Sequence, residues 1–282
     1  MARTLTRRRT LSLGAAGLGS LWIPGCGRKA YEPTPDADVA TAAVQAKIHA
    51  NPTTDGDGAT LARVFPSPQL RNLDPFVLLD DFDVRAPAGF PTHPHRGFEA
   101  FTYMIDGAFE HRDTMGNVSS IASGGTQRFN SGRGAKHSEM PGSTGSNRGL
   151  QLWVNLPKRL KRMEPEYEGM DADALPMQST AAETTRIIAG GGSPVGLHTN
   201  VDYRDVTLLA DRWSVDVPQG RNTLLYVIDG TLTLGAHTAR RGEALLVDAG
   251  RLQVAGTKGT RFAYLSGTPH GEPIRHRGPF VD

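Results

Sequence analysis

Tyr103-Met104-Ile105-Asp106-Gly107 returns as Tyr226-Val227-Ile228-Asp229-Gly230, a shift of 123 positions. In both copies an apolar run meets an Asp-Gly pair, which favours a tight hairpin turn, and then resumes. Two unrelated strand-turn-strand units could converge on five residues, so the surroundings carry the weight. The shift is about one domain length. Short runs rich in β-branched and aromatic residues recur at 60–65, 75–79, 99–105, 150–156, 206–209, 224–228, 244–247 and 262–265, with turn residues between them. Glycine (33) and proline (19) are plentiful, and no long amphipathic helical period competes. The reading is all-β: two antiparallel β-barrel domains of like fold, joined across residues 161–184.

Charge narrows the class further. The net charge is +2, with no basic stripe or cluster, so there is no nucleic-acid footprint. The single cysteine, Cys26, excludes an intrachain disulfide.

Residues 1–26 have the order of an export signal: basic residues ending in Arg7-Arg8-Arg9, then an apolar stretch too short to span a bilayer. Thr6-Arg7-Arg8-Arg9-Thr10-Leu11 resembles a twin-arginine signal, with an ordinary Sec signal as the alternative. Ile23-Pro24-Gly25-Cys26 resembles a lipobox, although proline before the glycine departs from the pattern. These features predict a periplasmic or cell-envelope protein exported by the twin-arginine route, with membrane anchoring through a lipidated Cys26. Residues 27–56 are polar and read as a linker, with a short helix at 39–49. The first barrel is then 57–165 and the second 166–282.

The chemistry concentrates in two short segments. In an extended chain residues i and i+2 share a face, so His93 and His95 of His93-Pro94-His95 can reach one metal ion. Pro94 blocks helix and suits an edge strand. His137-Ser138-Glu139 repeats the spacing after a glycine-rich turn, Ser131-Gly132-Arg133-Gly134. If the two segments meet inside a barrel, His93, His95, His137 and Glu139 supply three neutral nitrogens and one anionic oxygen. Such a set suits one divalent first-row metal and leaves coordination positions for water, dioxygen or substrate. The bland alternative is a pair of polar surface strands.

Longer motifs carry a resemblance. His93-Pro94-His95-Arg96-Gly97-Phe98-Glu99, Gly107-x-Phe109-Glu110-His111-Arg112-Asp113, Gly132-Arg133-Gly134-x-x-His137-Ser138-Glu139-Met140-Pro141 and Leu150-Gln151-Leu152-Trp153-Val154-Asn155-Leu156-Pro157 resemble the pirin family of the cupin superfamily. So do Asp74-Pro75-Phe76 and the ending Gly278-Pro279-Phe280-Val281. The resemblance implies a bicupin, two barrels packed face to face, with one metal ion in the first barrel on His93, His95, His137 and Glu139. The second half has no His-x-His, since His198, His237, His270 and His276 are scattered, in keeping with a metal-free barrel. Iron(II) is the implied metal, with manganese, nickel, copper, cobalt and zinc open.

Glu99 is expected behind the metal ligands or on an arginine, Arg96 in a structural role, and His111 in the core beside the site. Trp153 is expected in the core or at the pocket mouth, and His198, His237 and His276 on loops or the surface. Some bacterial pirins are quercetin 2,3-dioxygenases. The resemblance therefore implies a dioxygenase acting on flavonols or similar enol and phenol substrates, with dioxygen as co-substrate, Glu139 as the catalytic base and the chain as a monomer. A non-enzymatic envelope protein that responds to metal or redox state is the alternative, as is other metal chemistry on a small aromatic.

Overall fold

A computed structural model describes residues 40–282. The expected export signal at 1–26, with Cys26, and residues 27–39 of the expected linker lie outside the described residues.

Among the described residues the chain is built of strands and one single-turn 3-10 helix, Lys158–Leu160. Each half pairs a seven-stranded sheet with a four-stranded one. In the first half the large sheet runs Glu166–Met170, Thr126–Asn130, Phe98–Asp106, Asn147–Asn155, Phe76–Val84, Ala59–Phe65, Asn51–Asp55. The small sheet runs Phe90–His95, Ala135–Pro141, Ala108–Asp113, Val118–Ala122. The second half repeats this order with Val44–His49, Glu243–Val247, Asn222–Asp229, Arg261–Gly267, Val201–Leu208, Glu183–Ala189, Met177–Ser179 opposite Arg212–Val217, Gly250–Gly256, Thr231–Leu234, His237–Arg240. The expected bicupin is what is found.

The two large sheets pack face to face. Phe98–Asp106 is buried along both faces up to its last residue. Phe101, Tyr103 and Ile105 join a core shared with Leu224, Tyr226 and Ile228 of the other barrel. Alternate residues face inward: Phe98 and Ala100 pack in one interior cluster and Met104 in another. A strand covered on both sides reads as a nearly unbroken apolar run, which is why these segments stand out in the sequence.

The repeated pentapeptide has a structural task. Tyr103 donates its hydroxyl hydrogen to Asp205 at 2.6 Å, and Arg261 binds the same carboxylate at 2.6 Å. Reciprocally, Tyr226 donates to Asp81 at 2.7 Å, and Arg148 binds Asp81 at 3.1 Å. Each tyrosine crosses from its own barrel to the other, so the contact has approximate two-fold symmetry. Paired in this way, the buried Asp81 and Asp205 do not stand as bare charges in a low-dielectric interface.

The expected boundaries change in two places. Residues 44–49 form a strand in place of the expected helix and linker, hydrogen-bonded to Glu243–Val247 of the second barrel. Val44-Gln45-Ala46-Lys47-Ile48-His49 alternates with period two, and Ile48 is buried in the shared core. Asn51–Asp55 likewise pairs with Ala59–Phe65. Glu166–Met170, placed by sequence with the second barrel, pairs with Thr126–Asn130 of the first. Both segments fill the same open sheet edge in their respective barrels, where unpaired N–H and C=O groups would otherwise remain.

The chain ends are thereby exchanged. The strand Val44–His49 completes the second barrel, and the last residues of the chain close over the first. Val281 is buried against the first barrel's interior and donates its N–H to the Arg96 carbonyl at 3.0 Å. Gly97 makes this approach possible: its φ is +86°, and a Cβ there would lie 1.9 Å from the Val281 oxygen.

Candidate metal centre

Phe90–His95 is the edge strand of its sheet, so Pro91 and Pro94 remove N–H groups where few ladder bonds are lost. It pairs with Ala135–Pro141 in a register that sets His93 directly opposite His137. The two motifs thus meet as neighbouring strands of one sheet. His93, His95 and His137 each offer a nitrogen within 4.8 Å of the others.

The outer nitrogens are anchored. His93 Nδ1 donates to the Pro91 carbonyl at 2.8 Å and His95 Nδ1 to the Pro279 carbonyl at 3.3 Å. Each ring therefore presents Nε2 as a lone pair, and these two atoms lie 2.9 Å apart. Facing lone pairs repel unless a cation shares them. Adjacent donors on a metal at about 2.1 Å would be roughly 3 Å apart, so the spacing fits a shared ion. His137 adds a second sign. Both its nitrogens are buried without a hydrogen-bond partner among the described residues, a cost of about 1–3 kcal/mol per orphaned group. Burial, then the neighbouring His93 ring, pushes His95 down to about 3. Burial and the surrounding imidazoles hold His137 well below the usual histidine range. Neutral imidazole is the form a metal binds.

Phe129 stacks on His137 at 4.2 Å, and Trp153 meets His95 edge-on at 4.9 Å. Rotation of these imidazole rings is thereby limited.

Glu139 lies two residues beyond His137 and lines the same cavity as His93 and His95. Its side chain reaches the opposite sheet. There Oε1 accepts from Thr102 Oγ1 and from Gln127 Nε2, both at 2.5 Å, and Oε2 accepts from Gln151 Nε2 at 2.9 Å. The compact nitrogen group is the three histidines alone. The carboxylate stands beside it, oriented by three donors.

The cavity has a volume of about 780 Å³. Leu61, Leu78, Phe82, Phe90, Trp153 and Ile274 give it apolar walls, and Arg63, Asp80 and His276 give it polar ones. Of the remaining expectations, Glu99 pairs with Arg128 at 2.8 Å, and Arg96 binds the C-terminal residue Asp282 at 2.9 Å. His111 is buried, stacked on Tyr167 and hydrogen-bonded to Asp113. Trp153, expected in the core or at the pocket mouth, lines the cavity. His276, expected on a loop or the surface, lines it too, because the C-terminal segment folds back over the histidines. Sequence reasoning also missed Thr102, Gln127 and Gln151. A signal existed: Thr126-Gln127-Arg128-Phe129-Asn130 is a fully buried strand with four polar residues in five, which a purely structural barrel wall does not need.

The Pirin family pattern matches residues 58–154, and that of the Pirin C-terminal cupin domain matches 203–282. The chain belongs to the pirin family. This pirin is 39% identical to a pirin-like protein of Solanum lycopersicum over 83% of its own length and 84% of the relative's. It is 38% identical to a Pseudomonas aeruginosa protein provisionally named quercetin 2,3-dioxygenase, over 82% of this chain and 88% of that one. Among solved structures it is similar to a quercetin 2,3-dioxygenase from Acinetobacter baumannii, with a TM-score of 0.79 and 26% identity, over 86% of this chain and 92% of that one. Family and histidine cluster together point to a divalent metal in the first barrel.

Proposed function

We propose that this pirin is a metal-dependent dioxygenase of the quercetin 2,3-dioxygenase type, acting on flavonols or related enols and phenols. The observation that carries this reading is a cavity of about 780 Å³ with apolar walls and three metal-ready imidazoles on one side. That volume suits a drug-sized planar molecule. Relatives named for the same reaction support it.

His93, His95 and His137 would hold the ion, with Glu139 as the fourth ligand and iron(II) as the metal. A divalent ion held there supplies a Lewis-acidic anchor for the substrate's oxygens and a place for dioxygen to be used. The chain's own groups do the rest. Glu139 Oε2 accepts a single side-chain hydrogen bond, from Gln151, so one lone pair is left; it would serve the ion before substrate binds and would take the proton of a substrate hydroxyl once the substrate's oxygens replace it at the ion. Thr102 and Gln127 fix the other oxygen, so the carboxylate is oriented before substrate arrives. Trp153, Phe82 and Phe90 line the cavity and offer apolar surfaces against which a planar ring can lie.

The test is to load the purified protein with iron(II), measure bound metal, and incubate it with quercetin in air and under nitrogen. Oxygen-dependent loss of the flavonol absorbance, abolished in His93→Ala, is expected. Bound metal with no turnover of any flavonol would overturn the enzymatic reading and favour a metal- or redox-responsive binding protein. We place the protein in the cell envelope, exported by the twin-arginine route and held by lipidated Cys26. Palmitate labelling lost in Cys26→Ala is the expected result, and labelling that persists refutes the anchor.

A further inference from the structure

The three groups that hold Glu139 belong to a longer feature. Strand register places Gln127 opposite Thr102, Thr102 opposite Gln151, Gln151 opposite Asp80, and Asp80 opposite Arg63. Five neighbouring strands thus set one unbroken polar row across the inner face of the large sheet. Its first three members serve Glu139. Its last two, Asp80 and Arg63, line the cavity beyond the histidines.

Asp80 is 4% exposed. Arg63 grips it with two parallel bonds, Nε to Oδ1 at 2.8 Å and Nη2 to Oδ2 at 2.7 Å. A second bond from Arg63 Nη2, to Asp55 Oδ2 at 3.1 Å, steadies the guanidinium. A carboxylate has about four lone-pair positions, so Arg63 leaves Asp80 acceptor capacity to spare. Stability does not account for the pair, because a largely buried ion pair can often be replaced by apolar residues at no cost. In the second barrel the same register positions hold Arg204 and Ile187, so no pair joins those two strands, and Arg204 is bound by Asp202 of its own strand instead.

Distance gives the pair a use. Neighbouring strands are about 4.8 Å apart, so the row places Asp80 one strand, and Arg63 two strands, beyond Gln151. A linked two- or three-ring aromatic anchored at the histidines spans that length between the apolar walls. We propose that Asp80, held by Arg63, accepts a hydrogen bond from a hydroxyl at the end of the substrate remote from the metal. The site thereby selects elongated aromatics hydroxylated at both ends. This rests on the flavonol reading above and assigns Asp80 as a specificity-determining residue within it.

The test compares quercetin with 3-hydroxyflavone, which keeps the metal-facing oxygen pair and lacks every other hydroxyl. Binding to the iron(II)-loaded protein is measured by fluorescence quenching under nitrogen, so that no turnover intervenes. Native protein should prefer quercetin by roughly tenfold or more, as a hydrogen bond to a charged group allows. In Arg63→Met/Asp80→Leu, a substitution expected to keep the melting temperature, the preference should fall to near unity through loss of quercetin affinity alone. Asp80→Asn, which keeps the size and loses the charge, should reduce the preference several-fold and serves if the double variant does not fold. A preference unchanged in the folded variants overturns the assignment of Asp80 and leaves the flavonol reading standing. Native loaded protein that binds neither flavonol overturns both.

Discussion

The two barrels share their outward faces and differ in their interiors. At the interface, Tyr103 with Asp205 and Arg261 is matched by Tyr226 with Asp81 and Arg148. Inside, the polar row Gln127, Thr102, Gln151, Asp80, Arg63 is matched position for position by Leu245, Leu225, Tyr264, Arg204, Ile187. Where His93 stands opposite His137 in the first barrel, the second barrel's corresponding register sets Val215 against Leu252, and Val254 takes the place of Glu139. The second interior is packed with Leu, Val, Trp and Phe side chains. Architecture follows from the shared face, and chemistry follows from which barrel gives up an apolar core. Packed aliphatic side chains stabilise a barrel, while a row of amides and charges needs partners at every position. The chain therefore separates the two demands: one barrel as a buttress, the other as a vessel.

Removing a ligand imidazole should have the largest effect. His137→Ala is expected to reduce bound metal from near one equivalent per chain to almost none after dialysis, read by atomic emission. The native protein should also melt higher with metal present, by the linkage between binding and folding, and the variant should not. His237→Ala, exposed on the second barrel, should change neither. Metal retained in His137→Ala would break the division of labour outright.

Next in size come the reciprocal tyrosines. Tyr103→Phe and Tyr226→Phe each take one donor from a carboxylate that stays buried. Each should cost about 1.5–3 kcal/mol of unfolding free energy in urea titrations. Similar costs, with metal content unchanged, would support an interface symmetric in energy as well as geometry. A cost confined to one tyrosine would show that the barrels lean on each other unequally.

Much of this was legible in the sequence because the informative patterns are local. The pentapeptide echo marks strands that perform one task twice, and His-x-His and His-x-Glu work through the i, i+2 geometry of a strand. What was not legible is register. Residues 63, 80, 102, 127 and 151 form one row only after five strands pair, and nothing in the spacing along the chain announces it. The strand Val44–His49 was misread for a related reason. Its partner, Glu243–Val247, lies about two hundred residues away, and without that open edge its Ala and Gln content suggests helix or tether. His276 became a cavity wall because the C-terminal segment returns to the first barrel, again a long-range event.

A gentler intervention makes the first barrel resemble the second at one point. Gln127→Leu installs the residue type found at Leu245. Glu139 Oε1 then keeps Thr102 as its donor and loses the amide. Residues that orient metal ligands typically govern 10–100-fold in affinity, and a single donor of three should sit at about tenfold, or about 1.4 kcal/mol. Competition with a chelator measures it. The melting temperature of the metal-free protein should also fall modestly, because buried Glu139 loses a donor and the Tyr167 hydroxyl loses an acceptor. An unchanged metal affinity would mean that the carboxylate's orientation is set by backbone alone.

The smallest effect is expected where the exchanged chain ends look most conspicuously tied. Arg96 pairs with Asp282 at 2.9 Å and lies over the Phe280 ring at 4.7 Å. Yet the two charged side chains are 42% and 49% exposed, and exposed pairs contribute about 0–1 kcal/mol. The segment has stronger attachments: Val281 is buried, its N–H reaches the Arg96 carbonyl, and Lys161 Nζ donates to the Val281 carbonyl at 2.9 Å. Arg96→Ala removes none of these, since the carbonyl at 96 belongs to the backbone. It should lower stability by less than about 1 kcal/mol and leave metal content and quercetin binding as they were. A larger loss, accompanied by weaker metal binding, would mean that the tail's charge holds Pro279 against His95. Closure of the first barrel would then depend on ionic strength, whereas closure of the second, by the N-terminal strand's backbone ladder, would not.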